Sequence, residues 1–393
     1  LAASLLQCGT MRFTNVPIIQ DVVCMVGILE SVGCRCRFQG SRLSIDASRV
    51  IKTAIPQEDV KKMRSSILVM GALLGRTGEA AAWYPGGCSI GSRPVDLHLL
   101  AFSRLGAGVE EEEGRIRARG RLRGGEIVFP FPSVGATENA LLAAVLAPGE
   151  TVIFGAAREP EIITLCQLLR QMGAVIAGEG TERIQIKGVS RLFETEYAVP
   201  GDRIAAGTYL AAVTAAGGQA VLWGAPWESM GAVTETLCRC GACIEPLPDE
   251  GGRILGARIL MEGRPRPVRL QTGPYPEFPT DLQSPMLAVL SLAEGESRLR
   301  ENVFEARFKT AAELKKMGAD ITVSGNQAVI QGKEGLSGAR VRAWDLRGGA
   351  ALVAAALAAR GETVIEDCIH IERGYEDICR DVQCLHGDIR WSA

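Results

Sequence analysis

One signature recurs six times along this chain: a helix ends on an apolar residue, a glycine follows, and a pair of strand-like stretches comes next. The copies are Ser31-Val32-Gly33, Arg104-Leu105-Gly106, Gln171-Met172-Gly173, Arg239-Cys240-Gly241, Lys316-Met317-Gly318 and Leu385-His386-Gly387. They are spaced by 73, 67, 68, 77 and 69 residues. Such self-similarity means one supersecondary unit used repeatedly, each copy burying its apolar face against its neighbours. The glycine is read as the left-handed residue that closes a helix. The paired stretches, such as 174–176 with 184–186 and 321–323 with 328–330, are β-rich runs joined by polar turns. An Ala/Leu-rich helix and one further strand precede each signature, as in 141–146 with 149–153 and 351–356 with 361–365. Each repeat therefore reads helix, strand, loop, helix, strand, strand. Three repeats can close with helices inside and sheets outside. Six predict two similar domains, 1–200 and 201–393, divided where Pro200-Gly201 breaks the pattern.

In five repeats a polar residue stands just before the first helix: Arg64, Ser133, Asp202, Asp281 and Arg347. Helix N-termini present backbone N–H groups and favour anions, so a set of such ends suits an anionic ligand. The stretch Pro85-Gly86-Gly87-Cys88 continues to Arg93-Pro94-Val95-Asp96-Leu97-His98. Its Gly-Gly pair suits a mobile flap carrying a thiol, and Arg93 can clamp a carboxylate or phosphate. The competing reading is an ordinary loop with a small packed cysteine. Likewise, Asp281 could serve only as a helix cap, and Arg347 and Arg373 could form surface ion pairs.

With 43 Lys+Arg against 45 Asp+Glu, the net charge is −2, leaving no global basic field for nucleic acid. Twelve cysteines accompany only three histidines. Many of the cysteines sit in apolar helical patterns, and Cys238, Cys240 and Cys243 lack a second ligand pair. The expectation is a reduced, cytoplasmic protein with no metal and no cofactor. The longest apolar runs are too short to span a bilayer, so no membrane partner is expected.

In order along the chain, several motifs together resemble the UDP-N-acetylglucosamine 1-carboxyvinyltransferase family of enolpyruvyl transferases. They are Lys62-Met63-Arg64-Ser65-Ser66, the 85–98 stretch, Ser133-Val134-Gly135-Ala136-Thr137-Glu138-Asn139 and Ala157-Arg158-Glu159-Pro160-Glu161. Asp202-Arg203-Ile204, Phe278-Pro279-Thr280-Asp281-Leu282-Gln283 and Arg373-Gly374-Tyr375-Glu376 complete the set. The resemblance implies an α/β, two-domain fold, each domain an inside-out barrel of three βαβαββ-type repeats. It implies transfer of the enolpyruvyl group of phosphoenolpyruvate to the 3′-hydroxyl of UDP-N-acetylglucosamine with release of phosphate, at the start of peptidoglycan synthesis. By the same resemblance Cys88 would protonate phosphoenolpyruvate and Asp281 would take the hydroxyl proton. Arg93, Arg347 and Arg373 would hold phosphate and carboxylate. Arg64, Arg93, Pro94, Val95, Asp96, Leu97, Ser133, Val134, Gly135, Asp281 and Val303 would line the nucleotide-sugar site. The family carries a Lys-Asn pair before the first helix, whereas this chain starts inside that helix. The expectation is thus an N-terminally truncated chain whose second domain lacks its first strand. The alternatives are a non-catalytic relative and the shikimate-phosphate enolpyruvyl transferase, which shares the fold but lacks the cysteine flap and the Arg-Pro-Val-Asp-Leu signature.

Overall fold

The six-fold signature is realised as six related repeats in the computed structural model, which describes residues 1–50, 52–85, 91 and 94–392. The chain divides into two compact halves, the first ending at Val199 and the second running on from Pro200.

The first repeat has a 3-10 turn, Ala2–Leu6, then β1 (Thr10–Thr14), α1 (Gln20–Ser31), β2 (Arg35–Gln39) and β3 (Arg42–Asp46). The second has α2 (Gln57–Lys62), α3 (Leu68–Thr77), β4 (Glu79–Trp83), α4 (Asp96–Arg104), β5 (Gly108–Glu112) and β6 (Arg115–Arg119). The third has β7 (Glu126–Val128), α5 (Val134–Ala144), β8 (Glu150–Phe154), α6 (Pro160–Gln171), β9 (Val175–Ala177) and β10 (Arg183–Lys187), and β11 (Glu196–Ala198) follows.

In the second half, the fourth repeat has α7 (Arg203–Ala216), β12 (Gly218–Trp223), α8 (Gly231–Arg239), β13 (Cys243–Pro248) and β14 (Ile254–Met261). The fifth has β15 (Arg269–Gln271), α9 (Gln283–Leu290), β16 (Glu296–Arg300), α10 (Lys309–Lys316), β17 (Asp320–Ser324) and β18 (Gln327–Gln331). The sixth has β19 (Leu336–Ser337), β20 (Arg340–Arg342), α11 (Leu346–Leu357), β21 (Ala359–Arg360), β22 (Val364–Glu366) and α12 (Ile378–Cys384). Among the described residues no strand follows α12, so the sixth repeat lacks the closing pair that the pattern predicts.

The third and fifth repeats show the unit in full. Their sheets have the same order, β7-β8-β10-β9 and β15-β16-β18-β17. The first two strands are parallel and the others antiparallel. The first repeat builds the same sheet differently. Its parallel strand is β11, drawn from the far end of the same half, with Arg12 opposite Glu196.

The leading helices are the interior. In the first half α3 packs on α5 and on the 3-10 turn; in the second, α7, α9 and α11 pack on one another. All eight residues of α9 are buried. A helix that is apolar all round belongs in a core. Close approach of α3 to α5 requires glycine at 71. A Cβ there would stand 2.7 Å from the backbone oxygen of Asn139. Asn139 is itself fully buried. Its Oδ1 accepts from the Gly71 N–H at 3.0 Å, and its Nδ2 donates to the Ile67 carbonyl at 3.0 Å and faces His98 Nδ1 at 2.8 Å. Gly71→Ala therefore crowds a backbone and breaks a satisfied buried network. We expect a loss of about 2 kcal/mol or more, seen as a lower denaturation midpoint with unchanged slope. An unshifted midpoint would mean that the two helices can separate without cost.

The helix closures are conserved in form across the repeats. In five of them the signature glycine has φ between +94° and +114°. The next N–H bonds back five residues: Cys34 to Leu29, Ala107 to Phe102, Ala174 to Leu169, Ala242 to Leu237 and Ala319 to Leu314. This is the Schellman closure, which satisfies carbonyls left over at a helix end. The sixth copy slips by one residue. There His386 takes the left-handed conformation (φ 64°), and the Gly387 N–H bonds to Val382. The sequence reading placed this cap on Gly387.

Candidate functional site

In the second half the candidate residues gather around the start of α9. Asp281 lies in a 3-10 turn, Thr280–Leu282, just before that helix. It does not cap α9, because neither the turn nor the helix has a side-chain cap bond. Instead its carboxylate lies between two arginines. Oδ1 accepts from Arg307 Nη2 at 2.5 Å, and Oδ2 lies 3.4 Å from Arg347 Nη2. Arg307 is 4% exposed, yet its Nε has no hydrogen-bond partner; the same holds for Nη1 of Arg347. Buried guanidinium N–H groups of this kind can donate to an anion, which accepts from such forks more strongly than a neutral group does. Burial acts to lower the Arg347 pKa, but Asp281, Tyr375 and Asp202 outweigh it and raise the pKa, so the group stays charged.

Arg347 is the second residue of α11 rather than the residue before it. The cap is Asp345, whose carboxylate accepts from the N–H groups of Arg347 and Gly348 at 3.0 and 2.9 Å. Arg373 lies half-buried in the loop before α12. In that loop Tyr375 is buried, with its hydroxyl 2.8 Å from Thr208 Oγ1. Val303 is half-buried, and its N–H donates to Glu301 Oε1 at 2.8 Å. Glu301 is itself buried; it also accepts from Phe304 N at 3.1 Å and from Thr280 Oγ1 at 3.0 Å. One carboxylate thus ties the Val303 loop to the turn that carries Asp281. Sequence reasoning missed Glu301 and Arg307. Neither follows the repeat, and the only signal was a dense Glu-Asn-Val-Phe-Glu-Ala-Arg run straight after β16.

In the first half Arg64 opens the 3-10 turn Arg64–Ile67, and its Nη2 lies 3.4 Å from the Pro94 carbonyl oxygen. Pro94 and Asp96 are exposed, and Leu97 is half-buried. The Val95 side chain is in the core, so only its backbone can face a ligand. Ser133 caps α5, accepting from the Ala136 N–H at 3.4 Å, and Val134 and Gly135 form the first turn. A Cβ on Gly135 would stand 3.1 Å from His98 Cε1. The two motifs are thereby locked together: His98 closes the Arg-Pro-Val-Asp-Leu-His run, and its partner Asn139 closes the Ser133–Asn139 run. Cys88 and Arg93 lie outside the described residues.

Burial, helped by the charges of Glu161 and Glu159, pushes the Glu138 carboxyl up to about 7. A carboxyl raised in the folded state is best tolerated when protonated. Its stability cost is absent below about 4.5, grows as pH rises, and is complete above about 7. Glu138→Gln is accordingly expected to raise the melting temperature at pH 8 and to leave it nearly unchanged at pH 4.5. Equal shifts at both pH values would show that Glu138 keeps an ordinary carboxyl.

Among the described residues no cluster of His, Cys, Asp and Glu could hold a metal ion. Nor is any described helix long and apolar enough to cross a membrane.

Comparison with known proteins places the chain among the enolpyruvyl transferases. The family profile for EPSP synthase (3-phosphoshikimate 1-carboxyvinyltransferase) matches residues 1–382. The UDP-N-acetylglucosamine 1-carboxyvinyltransferase of Nitratidesulfovibrio vulgaris strain DP4 is 46% identical over 394 residues, covering 100% of this chain and 93% of that protein. UDP-N-acetylglucosamine 1-carboxyvinyltransferase 2 of Caldanaerobacter subterraneus subsp. tengcongensis is 46% identical over 391 residues, covering 99% and 92%. Among solved structures, the enolpyruvyl transferase NikO from Streptomyces tendae superposes with a TM-score of 0.87 at 24% identity, covering 99% of this chain and 92% of that one. An EPSP synthase from Acinetobacter baumannii gives 0.74 at 18% identity, covering 98% and 92%. Within the enolpyruvyl transferases, the chain belongs to the UDP-N-acetylglucosamine 1-carboxyvinyltransferase family.

Proposed function

We propose that this chain transfers the enolpyruvyl group of phosphoenolpyruvate to the 3′-hydroxyl of UDP-N-acetylglucosamine and releases phosphate, at the start of peptidoglycan synthesis. The observation that carries the reading is Asp281 held between Arg307 and Arg347, with buried guanidinium N–H groups still lacking acceptors. A carboxylate that takes a proton beside cations that bind an anion is what this addition needs.

In the addition step Asp281 accepts the hydroxyl proton as the sugar oxygen bonds to C2 of phosphoenolpyruvate. Cys88 delivers a proton to the methylene carbon. In the elimination step the new methyl group returns a proton to the Cys88 thiolate, and its C–H electron pair re-forms the C=C bond as the C2–O–phosphate bond breaks. Phosphate leaves with that bond's electrons, taking up the proton held by Asp281. Arg93, Arg347 and Arg373 hold the carboxylate and phosphate through both steps. Their forks offset the charge and fix orientation, which matters because the intermediate carries both anions together. Arg64, the 93–97 run, Ser133 to Gly135 and Val303 line the nucleotide sugar. The two halves are the domains of the fold, divided near residue 200. The chain works in the cytoplasm, a reading supported by described cysteines that are all free. It requires no cofactor.

The test is phosphate release from phosphoenolpyruvate, with either UDP-N-acetylglucosamine or shikimate 3-phosphate as acceptor. Release only with the nucleotide sugar is the expected result. Release only with shikimate 3-phosphate would transfer the chain to the other branch of the fold, and binding without release would make it a non-catalytic relative.

A further inference from the structure

A groove of about 770 Å³ opens in the second half, between α8 and the outer face of the β15-β16-β18 sheet. Four arginines line it: Arg239 from α8, Arg269 from β15, and Arg298 and Arg300 from β16. The acidic side chains in the lining are Glu235 and Glu277, and Glu296 bonds to Arg298 from beside the groove, so the arginines outnumber the nearby carboxylates by one.

The strand register sets like charges side by side. Arg269 stands directly opposite Arg298 on the neighbouring parallel strand, with Arg300 two positions further along the same face. Like charges directly across a sheet repel. Relief is partial. Arg298 Nε bonds to Glu296 Oε1 at 2.8 Å, and Arg300 can donate to the Gln327 amide oxygen. Arg239 reaches only the Thr236 hydroxyl, at 3.4 Å.

The fold does not demand arginines there. In the third repeat, which has the same strand order, the corresponding pairs are Glu126 with Val152 and Val128 with Phe154. In the fifth they are Arg269 with Arg298 and Gln271 with Arg300. Positions counted back from the signature glycine differ in the same way along the helix. The second repeat has Leu97 and Leu100 where α8 has Ala232 and Glu235. The strand and helix positions that line this groove thus change in chemistry from repeat to repeat, and of the two sheets compared only that of the fifth repeat pairs arginine with arginine across the strands.

We propose that this groove is a second anion site, separate from the Asp281 centre, and that it takes a small phosphate-bearing polyanion such as a diphosphate. Guanidinium forks match phosphate oxygens bidentately, and two cross-strand arginines can span adjacent phosphates.

The experiment is calorimetric titration of the full chain with inorganic pyrophosphate and with ADP at low salt, saturating UDP-N-acetylglucosamine being present to occupy the proposed nucleotide-sugar site, repeated on Arg269→Ala/Arg298→Ala and on Arg347→Ala. Binding should weaken tenfold or more in the double variant and persist in Arg347→Ala. ADP binding no tighter than pyrophosphate would identify the phosphates as the recognised group, and tighter ADP binding would make the ligand a nucleotide. Removing the like-charge pair should not lower the melting temperature, which separates lost binding from lost folding. Arg269→Lys/Arg298→Lys, which keeps charge without forks, should bind at an intermediate level. No measurable pyrophosphate binding to the unaltered chain, or binding lost in Arg347→Ala and kept in the double alanine variant, would overturn the proposal.

Discussion

Asp281→Asn should depress turnover by on the order of a hundredfold or more, with a much smaller change in nucleotide-sugar affinity. Asparagine keeps the size and an acceptor oxygen, so the turn before α9 should survive. What goes is the negative charge between Arg307 and Arg347 and the group that takes the hydroxyl proton. Had Asp281 been a helix cap, asparagine would cap as well and activity would persist. The structure already removes that reading, since no side-chain cap bond closes either the turn or α9. Steady-state phosphate release separates the outcomes: near-normal kcat in the variant would take the proton-accepting role away from Asp281. A rise in KM alone would make the residue a binding contact only.

Cys88→Ser should lower turnover to a comparable degree, and Cys88→Asp, which restores an acid, should retain more activity than the serine variant. An epoxide analogue of phosphoenolpyruvate should alkylate Cys88 before any other thiol. The buried thiols are poor competitors: burial pushes Cys34 up to about 11 and Cys240 up to about 12, so neither supplies thiolate at neutral pH. The fair comparison is with Cys8, Cys238, Cys243 and Cys384, which are exposed. Peptide mapping after brief exposure decides the matter. Faster modification at any of those four would strip Cys88 of its special reactivity.

The repeat was legible because it rests on local physics. A left-handed glycine, a helix of small apolar residues and paired β-rich stretches are each set by neighbours in sequence. What escaped depends on partners far along the chain. The segment Glu196–Ala198 is too short to announce itself and becomes a strand only because β1 offers it an edge. The cap at His386 escaped because a glycine stood one residue on, and only the backbone shows which of the two turns left-handed. The sequence places Arg347 just before its helix, but Asp345, two residues earlier, holds the helix start. Arg307 and Glu301 could not be ranked above other charged residues by sequence alone. Their burial and their contacts with Asp281 and Thr280 are what mark them.

The strand that β11 lends to the first sheet bears on how the first half assembles. Its contacts join residues 184 positions apart: the Thr10 N–H to Glu194, and the Asn15 amide to the Val199 carbonyl. A chain emerging from the ribosome can form the second repeat and most of the third from nearby segments. The sheet of the first repeat must wait, its β1 edge open, until residue 198 has been made. Closing so large a loop is entropically slow, and an open edge is where strands of other chains can add. Ring closure by β11 is thus the expected late step of folding for this half, and the interval before it is when the nascent chain is most exposed to misassembly.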